Sequence, residues 1–82
     1  MVYTTQGTCS REIHYDIVEE NGVKVVRNVK YIGGCNGTLQ GIGKLVEGMP
    51  VDQVVEKLKG IRCGYKSTSC PDQLAQALSK EL

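Results

Sequence analysis

Four cysteines, Cys9, Cys35, Cys63 and Cys70, carry most of the chemistry open to this chain. Each falls where a strand or helix is expected to begin or end. A thiol that serves only as a small hydrophobe tends to sit inside an apolar stripe, and none of these does. No two form a C-x-x-C pair, so the pattern is neither a zinc ribbon nor a thioredoxin motif. Cys35 precedes an expected helix and Cys70 opens another. Free N–H groups and the helix macrodipole at such positions favour thiolate over thiol, and the thiolate is the form that binds metal or attacks a disulfide. Four thiolates around Zn²⁺ make a closed, structural site. This is the favoured reading, because four separate element ends suit the closing of a metal site. Three other readings stay open. Cys63 and Cys70 can cycle between dithiol and disulfide. Three thiolates with an open position can carry an iron–sulfur cluster. The four can also be unrelated thiols, some of them buried.

Compartment and charge narrow the choice. The longest uncharged stretches, residues 1–10 and 31–43, are respectively polar and glycine-rich. Neither reads as a signal peptide or a membrane span. The chain is therefore expected to be cytoplasmic, where thiols stay reduced and metal or redox roles outweigh structural disulfides. The formal charge is +1, with no basic stripe, so neither a nucleic acid nor a membrane is an expected partner. At 82 residues the chain forms one domain. A chain of this size buries only about 60–65% of its unfolded surface, so a metal would reinforce a thin core.

The elements that must position the thiols follow from periodicity. Val2–Thr5 reads as a short first strand. Arg11–Val18 alternates, with Ile13, Tyr15 and Ile17 on one face and Glu12, His14 and Asp16 on the other, as a half-buried strand does. His14 is thus expected at the surface, not at a metal. Asn21-Gly22 is a hairpin turn signal, and a returning strand, Val23–Ile32, places Val25, Val29 and Tyr31 on one face, with a bulge near Val26–Asn28. After Gly33-Gly34 the apolar spacing turns helical. Helix one runs from Gly37 or Thr38 to Glu47, with Asn36 as N-cap and Leu39, Ile42, Val46 and Met49 in a stripe. Its internal Gly41 and Gly43 mark a close approach of another backbone or a ligand. Helix two spans Val51–Lys59, and Gly60 stops it. Ile61–Lys66 is a loop. The last helix opens at Cys70 or Pro71 and runs to the end, with Ser69 and Asp72 as a capping box and Leu74, Leu78 and Leu82 facing inward. Strands followed by helices give an α+β fold: an antiparallel sheet of two to three strands with three helices on one face.

Thr68-Ser69-Cys70-Pro71-Asp72 is the motif that names the TSCPD domain family. Gly33-Gly34-Cys35-Asn36-Gly37, Leu45-Val46-Glu47-Gly48-Met49 and Lys59-Gly60-Ile61-Arg62-Cys63-Gly64 extend the match. The chain resembles short stand-alone members of that family over almost its whole length. The same domain is found near the C-terminus of adenosylcobalamin-dependent ribonucleotide reductases. The resemblance therefore implies an accessory module whose partner is a ribonucleotide reductase or another cytosolic enzyme, with a homodimer left open. The large reductase barrel is absent, so no catalytic residue is expected. A fainter similarity, to iron–sulfur scaffolds of the NifU/IscU type, matches Cys9, Cys35 and Cys70 to a hairpin flanked by two cysteines and a third opening a late helix. Cys63 has no counterpart there. That similarity implies a NifU/IscU-like fold and an iron–sulfur cluster as the alternative to Zn²⁺.

Overall fold

The alternation of apolar and polar residues before Gly33 becomes a sheet in the computed structural model, which describes residues 1–8, 10–34 and 36–81, with only the backbone of Asn36. Cys9, Cys35 and Leu82 lie outside the described residues. Strands β1 (Val2–Thr4), β2 (Ser10–Glu20) and β3 (Val23–Gly33) form an antiparallel sheet in the order β1-β2-β3. Helices α1 (Asn36–Val46), α2 (Val51–Leu58) and α3 (Cys70–Ser79) follow. This is the α+β order expected. No helix is long and apolar enough to cross a membrane among the described residues.

Along β2 the period-2 pattern holds. Ile13 and Tyr15 are buried and Ile17 packs at the core margin. His14 lies on the other face, 3.0 Å from Glu12 Oε1, as a surface histidine. Asn21 and Gly22 take φ of 55° and 80°, the left-handed pair that a two-residue hairpin turn requires. On β3 the bulge falls at Asn28 and Val29. Those two residues face Tyr15 alone, between the pairs His14↔Lys30 and Asp16↔Arg27. One extra residue reverses the phase of a strand whose side chains alternate. Val26, not the expected Val25, therefore shares the core face with Val29 and Tyr31. Val25 is buried elsewhere, bridged to Pro50.

The helices cover one face of this sheet. Ile13, Tyr15 and Val26 pack with Val46 of α1, Val51 and Val54 of α2, and Leu74, Ala77 and Leu78 of α3. The expected stripes Leu39, Ile42, Val46 and Met49, and Leu74 and Leu78, are those observed, with Leu82 outside the described residues, but the boundaries differ. Asn36 is the first helical residue, not the residue before the helix. Helix α2 ends at Leu58, since Lys59 is extended, and α3 ends at Ser79. Burying a Leu, Ile or Val side chain contributes about 1.5–3 kcal/mol, so the fully buried Ile13, Val26, Val51, Val54, Leu74 and Leu78 dominate the stabilisation.

Of the two glycines inside α1, only one marks a close approach. A Cβ at Gly43 would stand 2.9 Å from the Val29 carbonyl oxygen, whereas a Cβ at Gly41 would meet nothing within 4 Å. The same substitution should therefore have opposite signs. Gly41→Ala is expected to stabilise by about 0.5–1 kcal/mol through helix propensity. Gly43→Ala gains that term and loses more, because α1 must lift off β3, and a net loss of about 1–2 kcal/mol is expected. Urea denaturation of the two variants checks this, and equal shifts would refute it.

Candidate thiol site at the start of helix α3

The residues before α3 are buried polar groups, and their hydrogen bonds decide how the site is built. Thr68, Ser69, Asp72 and Gln73 are all buried. Ser69 is the N-cap in extended conformation, and its Oγ accepts from the Asp72 N–H at 3.1 Å. Pro71 fills the first turn, where its missing N–H costs nothing. This is one arm of the expected capping box. The second arm, from the Asp72 carboxylate back to Ser69, is replaced. That carboxylate accepts from the Thr68 hydroxyl, from Gly60 N–H at 2.6 Å and from Gln76 Nε2 at 2.8 Å. Burial pushes the Asp72 carboxyl up, but these three donors outweigh it and hold the group below the usual carboxylate range. Gln73 completes the set: its Nε2 donates to Thr68 Oγ1 at 3.0 Å and its Oε1 accepts from Gln6 N–H at 3.0 Å. No buried side-chain nitrogen or oxygen is left without a partner among the described residues.

This network ties the segments that carry the cysteines to one point. Gln6, three residues before Cys9, is held by Gln73. Gly60, three residues before Cys63, is held by Asp72. Ser10, the neighbour of Cys9, places its Oγ 3.2 Å from Cys70 Sγ and pairs across the sheet with Gly33. The Thr8 hydroxyl lies 3.1 Å from that Ser10 Oγ. Tyr31, at the end of β3 that leads toward Cys35, donates its hydroxyl to the Cys70 carbonyl at 2.9 Å. Burial first, and the neighbouring Cys70 second, raise the Tyr31 phenol above its ordinary range, so it stays a neutral donor.

Cys70 itself is buried at the first turn of α3, whereas Cys63 is an exposed free thiol. A short turn joins them. The Cys63 N–H donates to the Thr68 carbonyl at 3.1 Å, and the Cys63 carbonyl accepts from Lys66 N–H at 3.0 Å. The expectations for Cys9 and Cys35 fall outside the described residues. No group of three or more His, Cys, Asp or Glu able to hold a metal occurs among the described residues, and those include two of the four thiols. Periodicity had no means of finding Ser10, Tyr31 and Gln73 beside the site. Ser10 adjoins a cysteine at a strand start, and Tyr31 lies in phase with the core. Only the three-dimensional register brings them to Cys70.

Two depressions flank these elements. One, of about 480 Å³, is walled by Tyr3, Gln6, Ser67, Thr68, Gln73 and Gln76, so amides and hydroxyls of the network line it. The other, of about 550 Å³, lies between β3 and α1 and includes Tyr31, Gly33, Leu39 and Lys44.

Comparison with known proteins adds one finding. A family model described as the TSCPD domain matches residues 1–82. No curated protein and no solved structure matches the chain.

Proposed function

The chain belongs to the TSCPD domain family, and from that membership we propose that it is a small accessory module in which Cys9, Cys35, Cys63 and Cys70 hold one Zn²⁺. The observation that carries this reading is the Ser10–Cys70 contact, Oγ to Sγ at 3.2 Å. It sets the neighbour of Cys9 against Cys70 at the end of the sheet where Ser10 pairs with Gly33, just before Cys35. The donor set fits the metal, since thiolates are its preferred structural ligands. A hydroxyl against a ligating sulfur is the kind of outer partner that orients it. Bound there, Zn²⁺ would supply fold energy by joining the hairpin, the loop after α2 and the start of α3. By resemblance, the partner of such a module is a ribonucleotide reductase or another enzyme that thiol or metal chemistry serves. Metal analysis of the chain purified without chelator tests the reading. About one equivalent of zinc with the four thiols protected is expected. Below about half an equivalent, with all four thiols reactive, the reading fails. Iron and a coloured protein would transfer the site to a cluster carrier.

A second reading rests on a different observation, the contrast between exposed Cys63 and buried Cys70 across one turn. The Cys63 thiolate attacks a disulfide of a partner enzyme and forms a mixed disulfide, releasing one partner thiolate. Cys70 then attacks Cys63 sulfur, releasing the second partner thiolate and leaving a Cys63–Cys70 disulfide, so the partner gains the two electrons this chain loses. A potential of roughly −200 to −300 mV is expected for such a pair. Unchanged thiol exchange in Cys63→Ser would dispose of it.

A further inference from the structure

The segment between α2 and α3 combines features that neither reading of the thiols uses. From Lys57 to Pro71 the chain has no acidic residue, while Lys59, Arg62 and Lys66 are all exposed. Tyr65 is fully exposed, at 109% of its reference area, and Ile61 is 41% exposed. The loop is nevertheless anchored at its base. Gly60 N–H is bound to the Asp72 carboxylate, Cys63 N–H to the Thr68 carbonyl, and Lys66 N–H to the Cys63 carbonyl. Gly64, beside Tyr65, takes φ of 58°. A fixed turn thus holds an aromatic ring and an aliphatic side chain in water, among cations.

Single exposed apolar side chains are ordinary, but here a tyrosine and an isoleucine share one fastened turn with three cations and no carboxylate. Tyr and Arg are the side chains that most often anchor protein interfaces, and they act best when presented without loss of conformational freedom. We propose that residues 59–67 form a docking turn for an acidic protein surface, with Tyr65 and Ile61 entering an apolar recess and Arg62 and Lys66 meeting its carboxylates. Charge complementarity selects the occupant. Single-stranded nucleic acid also attracts cations beside an aromatic ring, but it wants successive stacking rings and a basic groove along its backbone. This turn offers one ring, has an aliphatic partner no base stacks on, and belongs to a chain of net charge +1. Cys63 lies within this turn, but the proposal uses the side chains of Ile61, Arg62, Tyr65 and Lys66 and not its thiol.

The test titrates the isotope-labelled full chain with two probes, a short Asp/Glu-rich peptide carrying a central leucine pair and an oligothymidylate. The peptide is expected to move the amide signals of residues 59–67 and few others. Tyr65→Ala and the double variant Arg62→Glu/Lys66→Glu should each weaken its binding about tenfold, and added salt should weaken it further. These side chains are exposed, so the spectra of the variants elsewhere should match the parent and confirm the fold. No shift with the peptide, shifts outside the turn, indifference to Tyr65→Ala, or tighter binding of the oligonucleotide would each overturn the proposal.

Discussion

Asp72→Ala is expected to lower stability by about 3–4 kcal/mol, because it deprives three donors of a charged, buried acceptor. The Thr68 hydroxyl, Gly60 N–H and Gln76 amide all lose their acceptor. A domain of this size falls at the lower end of the usual range of about 5–15 kcal/mol, so the loss is about half of the total. Asp72→Asn keeps the shape and one acceptor oxygen but turns an N–H₂ toward Gln76 or Thr68, and about half that loss is expected. The pH dependence separates charge from packing. The Asp72 carboxyl titrates below its ordinary value in the folded chain. Its contribution is therefore complete above the unfolded value of about 4 and disappears as pH falls through the lowered folded value. Urea denaturation at several pH values should show parent stability dropping more steeply than that of Asp72→Asn below about pH 4. Parallel curves would mean that the carboxylate is not held as described.

Stripping the metal is the second large effect, and it follows from the zinc reading. Chelation is expected to cost about 4 kcal/mol or more, since a four-thiolate site contributes directly to folding and this core is thin. Cys70→Ser should reproduce the loss, because it removes a ligand and alters the contact with Ser10. Ser10→Ala should retain the metal with affinity reduced about tenfold, as expected when an outer partner of a ligand is removed. Thermal melts with and without chelator read all three. If chelator leaves the parent melt unchanged, no structural metal is present, and the exposed–buried contrast of Cys63 and Cys70 becomes the feature to pursue.

Element identities were legible because they depend on local spacing. Ile13, Tyr15 and Ile17 identify β2, and Val51 and Val54 identify α2, without reference to anything distant. A bulge on β3 was legible near Val26–Asn28, but its place at Asn28 and Val29 was not, because that depends on which β2 residue faces two residues of β3. That choice moved Val25 off the core face and Val26 onto it. At the site, the cap by Ser69 could be read from S-x-x-D alone. The destination of the Asp72 carboxylate could not, since Gly60 becomes its neighbour only when the end of α2 packs on α3. The same holds for Ser10 and Tyr31, whose contacts with Cys70 span 60 and 39 residues of chain.

The rim of β3 has a consequence for how copies of the molecule meet. Val26 N–H and carbonyl are bound by Met49 and Gly48, Asn28 N–H by Glu47 Oε1, and α1 presses Gly43 against Val29. An uncovered strand of this length offers a ladder of bonding groups on which a second chain can grow a continuous ribbon. Here the segment leaving α1 occupies that ladder from within the same molecule. Crowded copies therefore meet an edge whose groups at Val26 and Asn28 are already bonded, which disfavours growth of a second chain there.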